Sequence, residues 1–221
     1  MDAFRAQFLD FSIMAAAWPT LMSGLATTAL LCAIVIPLGL VSGLAAALGS
    51  LSPIRWLRWT TIAFVDIFRA IPPLVLLIFV YSGLPFAGIR LSPMEAVAIA
   101  FCLNNAAYYG EVYRAGILSI GEGQRQAARS TGLSAAQTMA HVVLPQAVRN
   151  VLPDLVSNTV EVVKLTSLAS VVSLAELLYS ADMARSVTYN ASPIVAAGAI
   201  YLVILWPLVR LVSRLERRIG A

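Results

Sequence analysis

Two acid–base pairs interrupt long apolar stretches of this chain, Asp66 with Arg69 and Glu161 with Lys164. In each pair the acid precedes the base by three residues, so on a helix both members share a face and can neutralise one another. Ionisable groups inside apolar segments are costly, and they mark pathways, proton relays or ligand sites. Near Glu161, the side chains of Asn158, Thr159, Thr166 and Ser167 add uncharged hydrogen-bonding groups, and a carboxylate among them suits a cationic solute. Other chemistries lack their residues. His141 is the sole histidine and both cysteines, Cys32 and Cys102, lie in apolar runs, so neither a Cys/His metal set nor a disulfide framework is expected. The chain contains no Gly-x-Ser-x-Gly elbow and no His-Glu-x-x-His pair. Its only lysine, Lys164, is not part of a G-x-x-x-x-G-K-[ST] loop, so the chain cannot cradle ATP by that motif.

The elements that must hold these residues are membrane spans. Of 221 residues, 60% are hydrophobic and 12% charged, with mean hydropathy +0.85, whereas soluble domains carry about a quarter charged residues. A soluble enzyme is excluded. At roughly 20 apolar residues per spanning helix, the length allows five or six spans and no large extramembrane domain. Phe11 to Ile54 holds no charge, and a first span is read over 20–48. It is too long for a cleaved leader and has no basic segment before it. A second span, 60–83, carries Asp66, Arg69 and Pro72-Pro73 and is expected to break there. Further spans follow at 93–110, 151–174 and 186–209, all within one membrane domain covering 1–221. Residues 111–150 form the one sizeable aqueous loop. Gly39, Gly43 and Ala47 make a small-residue stripe suited to helix packing. Tyr81, Tyr108, Tyr109, Trp56, Trp59 and Trp206 read as interface anchors or packing residues.

The net charge of +4 comes from arginines spread singly, not from a basic stripe, so nucleic acid is not an expected partner. Alternate loops separate them instead. One side collects Arg55, Arg58, Arg114, Arg125, Arg129, Arg149, Arg210, Arg214, Arg217 and Arg218; the other collects Arg5, Arg90 and Arg185. By the positive-inside rule the N-terminus is expected outside, with the 111–150 loop and the C-terminus cytoplasmic.

Within that loop, Ala127-Ala128 permits close helix approach and Gly132 can end one helix. Ser134 is a plausible N-cap for a second short helix, 135–143, and Pro145 is expected to end or redirect it. The run Gln126-Ala127-Ala128, then Gly132, Val142 and Leu144-Pro145, resembles the EAA loop of ABC-transporter permeases, with Gln126 in place of the usual acid. Asn105-Ala106-Ala107-Tyr108 with Glu111, Arg114, Gly116 and Ile117 resembles a segment of the polar amino-acid branch, the histidine/glutamine/arginine type. Gly24-Leu25 with Thr28, Asp66 to Leu74, and Asn158 with Lys164 to Leu168 extend that resemblance over most of the chain. In the last of these, Leu165 replaces an acid.

The resemblance implies an all-α permease of type I ABC importer architecture in a bacterial inner membrane. It implies a second permease subunit, identical or a sister, two ATP-binding subunits that carry ATP and magnesium, and an extracytoplasmic binding protein that delivers an amino-acid-like substrate. It places Gln126, Ala127, Ala128, Gly132, Leu133, Ser134, His141, Leu144 and Pro145 on the ATPase-coupling surface. The pathway candidates are Asp66, Arg69, Asn158, Glu161, Lys164, Thr166 and Ser167. Glu161 stands where related permeases commonly carry an apolar residue, which favours a basic amino acid or related cationic solute. The alternative is an ion-coupled secondary transporter that uses Asp66 or Glu161 as a proton relay.

Overall fold

The structure is a computed structural model that describes residues 2–219; Met1, Gly220 and Ala221, the ends of the expected domain, lie outside the described residues. So does the side chain of Arg218, one of the cations assigned to the cytoplasmic side. Every regular element among the described residues is helical. Helices α1 (Asp2–Phe8) and α2 (Phe11–Ser50) lead into α3 (Arg55–Ala70) and α4 (Pro73–Ile78), and a π turn and a 3₁₀ turn carry the chain to Ala87. Next come α5 (Pro93–Ser119), α6 (Glu122–Ser130), α7 (Ala135–Thr138), α8 (Leu144–Asn150) and α9 (Leu152–Leu165). After a 3₁₀ stretch, Thr166–Val172, the chain ends in α10 (Leu177–Thr188) and α11 (Ser192–Ile219).

Three stretches are long and apolar enough to cross a membrane alone, Asp2–Ser50, Leu152–Val172 and Ser192–Arg217, and Arg55–Ala70 with Pro73–Ala87 qualifies jointly as a broken fourth. The interruption falls where two prolines force it: Ile71 and Pro72 are extended, and Pro73 opens the next helix at a position needing no N–H. Helix α5, expected as the third span over 93–110, is long enough but outside that apolar set. Its buried Asn104 and Asn105 dilute it, and a helix enclosed by protein need not be apolar all round. It also runs to Ser119, nine residues into the segment expected to be loop. The apolar run 186–209 is not a single helix. The chain turns at Tyr189, with φ of 50°, and α11 starts at Ser192-Pro193, proline again in the first turn.

The chain forms two compact units. The first comprises Met1–Ile36, Pro72–Phe101 and Val160–Val209; the second comprises Pro37–Ile71, Cys102–Thr159 and Arg210–Ala221. In the first, a core of Ala17, Leu21, Leu177, Ala181, Ala196 and Ala197 joins α2, α10 and α11. In the second, Ala46, Val65 and Ala107 join α2, α3 and α5. Lipid is as apolar as leucine, so close backbone approach and hydrogen bonds, rather than transfer from water, hold such helices. The expected stripe shows it: a Cβ on Gly43 would stand 2.5 Å from Tyr109 Cβ and 2.9 Å from the Gly110 nitrogen, and one on Gly39 would meet the Tyr109 ring at 3.1 Å. The stripe is an α2–α5 seam within one chain.

Candidate functional site

The 122–150 segment is built as a helical platform in the second unit. Helix α6 ends at Thr131, and Gly132 takes φ of 89°, a left-handed conformation that suits glycine, so the chain turns a corner there. Ser134 starts the next helix with a capping box: its Oγ accepts from the Gln137 N–H at 3.2 Å, while Gln137 Oε1 accepts from the Ser134 N–H at 2.8 Å. Pro145 does not end that helix, contrary to expectation. A π turn, Met139–Val143, lies immediately before α8, and the widened turn absorbs the clash between the proline ring and the carbonyl four residues back. Ala128, Thr138, Val143 and Ala147 face inward; Gln126, Ala127, Gly132, Ser134, His141 and Pro145 are exposed, with Leu133 and Leu144 half-buried. His141 Nδ1 donates to the Gln137 carbonyl at 3.0 Å, leaving its other nitrogen outward. Two bonds tie the platform to the end of α5: Arg125 Nη2 donates to the Ile117 carbonyl at 2.7 Å, and Asn150 Nδ2 to Ser119 Oγ at 3.1 Å. A small, outward surface on a braced helical corner can receive a partner helix or cleft and pass on its displacement.

The two acid–base pairs behave differently. Glu161 and Lys164 do pair, with Nζ to Oε1 at 2.5 Å, and both side chains are about half or more exposed, at 64% and 49%. Asp66 and Arg69 do not. Arg69 reaches Glu111 at 3.8 Å and stands 5.6 Å from the Tyr108 ring centroid, while Glu111 is held by Arg114 through two hydrogen bonds. Asp66, Arg69, Glu111 and Arg114 line one cavity of the second unit, of about 310 Å³. In the sequence, Glu111 is legible only through a resemblance and Arg114 through that resemblance and the charge asymmetry, neither as a pathway residue; their spacing of three beside an apolar run is the available signal.

Among the uncharged candidates, the Thr166 hydroxyl is fully buried and donates to the Val163 carbonyl at 2.7 Å, and Ser167 donates to the Lys164 carbonyl at 2.8 Å. Such back-bonding competes with the α ladder, and the 3₁₀ stretch starts there. Both hydroxyls keep acceptor capacity. The Asn158 Nδ2 atom is buried without a hydrogen-bond partner among the described residues, a donor awaiting an acceptor.

One buried acid escaped the sequence reading. Glu176, between the spans Leu152–Val172 and Ser192–Arg217, is fully buried and caps α10, accepting from the Leu178 N–H at 2.8 Å, the Tyr179 N–H at 2.7 Å and the Tyr201 hydroxyl at 3.2 Å. Burial pushes its carboxyl above the usual range, against these three donors, which favour the ionised form. It is the only charge between Lys164 and Asp182, a visible signal.

Comparison with known proteins settles what kind of molecule this is. The family model described as "Binding-protein-dependent transport system inner membrane component" matches residues 36–221. The chain belongs to that family. The probable glutamine ABC transporter permease protein GlnM of Bacillus subtilis (strain 168) is 34% identical over 212 residues, covering 96% of this chain and 98% of its own. The arginine transport system permease protein ArtQ of the same organism is 32% identical, with 96% and 97% covered. A solved structure titled "Crystal structure of an amino acid ABC transporter with histidines" superposes with a TM-score of 0.87 at 34% identity, covering 95% of this chain and 99% of that one. The chain is a permease subunit of an amino-acid ABC importer with the type I importer fold. It is not an enzyme; ATP hydrolysis belongs to a separate partner.

Proposed function

We propose that this permease subunit imports a cationic polar amino acid, with Glu161 receiving the positive group of the substrate. The observation that carries the reading is the Glu161–Lys164 pair, exposed on a helical stretch long and apolar enough to cross a membrane. A half-exposed ion pair facing lipid is strongly disfavoured, so this face turns toward a second permease subunit or a water-filled pathway. A cationic substrate competes with Lys164 for Glu161. The relatives named for glutamine and for arginine fit a substrate with an amino-acid backbone, and the carboxylate selects the charged side chain.

In this reading two permease subunits, identical or sisters, surround the pathway, and an extracytoplasmic binding protein delivers the substrate. Two ATP-binding subunits hold ATP and magnesium and dock on Gln126, Ala127, Gly132, Leu133, Ser134, His141, Leu144 and Pro145; Ala128, expected on that surface, is buried and packs the corner from behind instead. Closure of the ATPase pair displaces this platform, and its bonds to Ile117 and Ser119 transmit the displacement to α5, favouring alternation of access. The N-terminus lies outside and the C-terminus in the cytoplasm.

The test is copurification with the partner ATPase, followed by ATPase and uptake assays in lipid with the binding protein and basic, acidic or neutral amino acids. Basic amino acids are expected to stimulate, and E161Q to lower uptake of the cationic substrate about tenfold while sparing a neutral one. Equal uptake of both by E161Q rejects the role of Glu161. Uptake driven by a proton gradient without the ATPase rejects the ATP-driven reading.

A further inference from the structure

The cavity of the second unit holds four charges that sum to zero, of which only two are closely paired. It runs from Ser50 and Leu51 at the end of α2 to Asp66 and Arg69 on α3 and Glu111 and Arg114 on α5. At about 310 Å³ it stands at the small end of ligand pockets, which run from roughly 300 to 1,000 Å³. Glu111 and Arg114 satisfy each other in a two-pronged contact. Arg69 touches that already engaged carboxylate only at 3.8 Å, which leaves most of its donors unused. Asp66 has neither an ion pair nor a side-chain hydrogen bond among the described residues. Asp66 and Arg69 are one turn apart on the same face of α3, so the cavity wall offers a carboxylate that feels Arg114 only at long range beside a guanidinium with donors to spare.

That pattern is complementary to a molecule carrying an anion and a cation on neighbouring atoms. We propose that this cavity is a receptor for a free zwitterionic α-amino acid, its α-carboxylate held by Arg69 and its α-ammonium by Asp66, with the Arg114–Glu111 pair as a fixed wall. The side chain of the ligand extends along the apolar lining, Leu51, Ile62 and Val65. The site rests on the reading of this chain as an amino-acid permease, and it adds residues other than those on α9. Its position gives it consequence: α5, which carries Glu111 and Arg114, is bonded at Ile117 and Ser119 to the platform proposed to receive the ATPase. A ligand spanning α3 and α5 therefore bears on the element that couples to ATP hydrolysis.

The experiment is equilibrium binding of radiolabelled arginine and glutamine to the permease assembled with its ATPase in phosphatidylglycerol nanodiscs, which contain no ammonium headgroup. Binding is expected to include a component that E161Q spares and that D66N and R69Q each weaken at least tenfold. On the wild type, N-acetylarginine, which lacks the ammonium, and arginine methyl ester, which lacks the carboxylate, should fail to compete for that component. This arm needs no variant to fold. Binding unaffected by both substitutions, or equal competition by either analogue, overturns the proposal. So does displacement of the component by phosphatidylethanolamine together with weak binding of free amino acid, which would make the cavity a lipid-headgroup site. A wild type whose binding is wholly dependent on Glu161 overturns this site alone. One that binds no amino acid and shows no substrate-stimulated ATPase overturns the transport reading as well.

Discussion

Glu176 shows how one side chain can hold three helices of a membrane domain. Its carboxyl caps α10, receives Tyr201 from α11, and sits beside the Leu177 N–H, which donates to Thr28 Oγ1 of α2 at 3.1 Å. Removing the side chain strands two backbone N–H groups in a buried site and takes one of three side-chain partners from the Tyr201 hydroxyl. E176A is therefore expected to cost at least about 2 kcal/mol of stability. The raised pKa adds a sign. The folded chain prefers the protonated acid, so the stability this group contributes is present below the ordinary carboxylate range and is lost as pH rises through its raised value. Glutamine does not titrate, so thermal midpoints of wild type and E176Q, compared from about pH 4 to about pH 8, isolate the effect. The wild type should gain relative to E176Q toward acid; a gain toward alkaline pH would mean that the three donors, not burial, set the protonation state.

At the scale of elements, the platform turns on Gly132. A Cβ there meets nothing within 4 Å, so the cost of replacing it comes from its backbone angle and not from crowding. Alanine at φ of 89° costs roughly 1–2 kcal/mol, and the corner can relax by shifting α6 against α7. G132A is expected to lower substrate-stimulated ATPase activity severalfold, and G132N, better tolerated in left-handed backbone, to lower it less. Membrane levels of the permease should fall less than activity, since a Cβ at Gly132 meets no neighbour. Equal activities for G132A and wild type would show that docking tolerates a moved corner. The corner and its cap were legible in the sequence because Gly132 and Ser134-x-x-Gln137 act locally. The continuation through Pro145 was not, since a π turn trades one hydrogen-bond register for another without a residue signature. The partner of Arg69 was equally hidden. Spacing of three predicted Asp66, but Glu111, distant in sequence, is brought to it by the packing of α3 and α5 through Val65 and Ala107.

At the scale of the whole molecule, the apolar surface suits a membrane, and the arginines predict which way the chain is inserted. Leu202, Val203 and Trp206 of α11 are each more than half exposed, and Trp18 and Val41 of α2 are likewise open, a surface for lipid or a second subunit rather than water. Membrane location follows from the family. The sidedness rests on charge: ten arginines assigned to one side against three on the other. Two exposed positions test it, Phe86 in the segment between α4 and α5, at 96% exposure, and Gln126 on the platform. In a background with C32A and C102A, F86C is expected to react with a membrane-impermeant maleimide in intact cells. Q126C should react only after the membrane is opened. The reverse pattern would place the platform outside, where no ATPase can reach it, and would remove the coupling role together with the topology. Labelling of both from outside would leave the arginine asymmetry without a topological meaning. The pair therefore checks the premise on which the coupling surface and the proposed transport cycle depend, without requiring the substrate to be known.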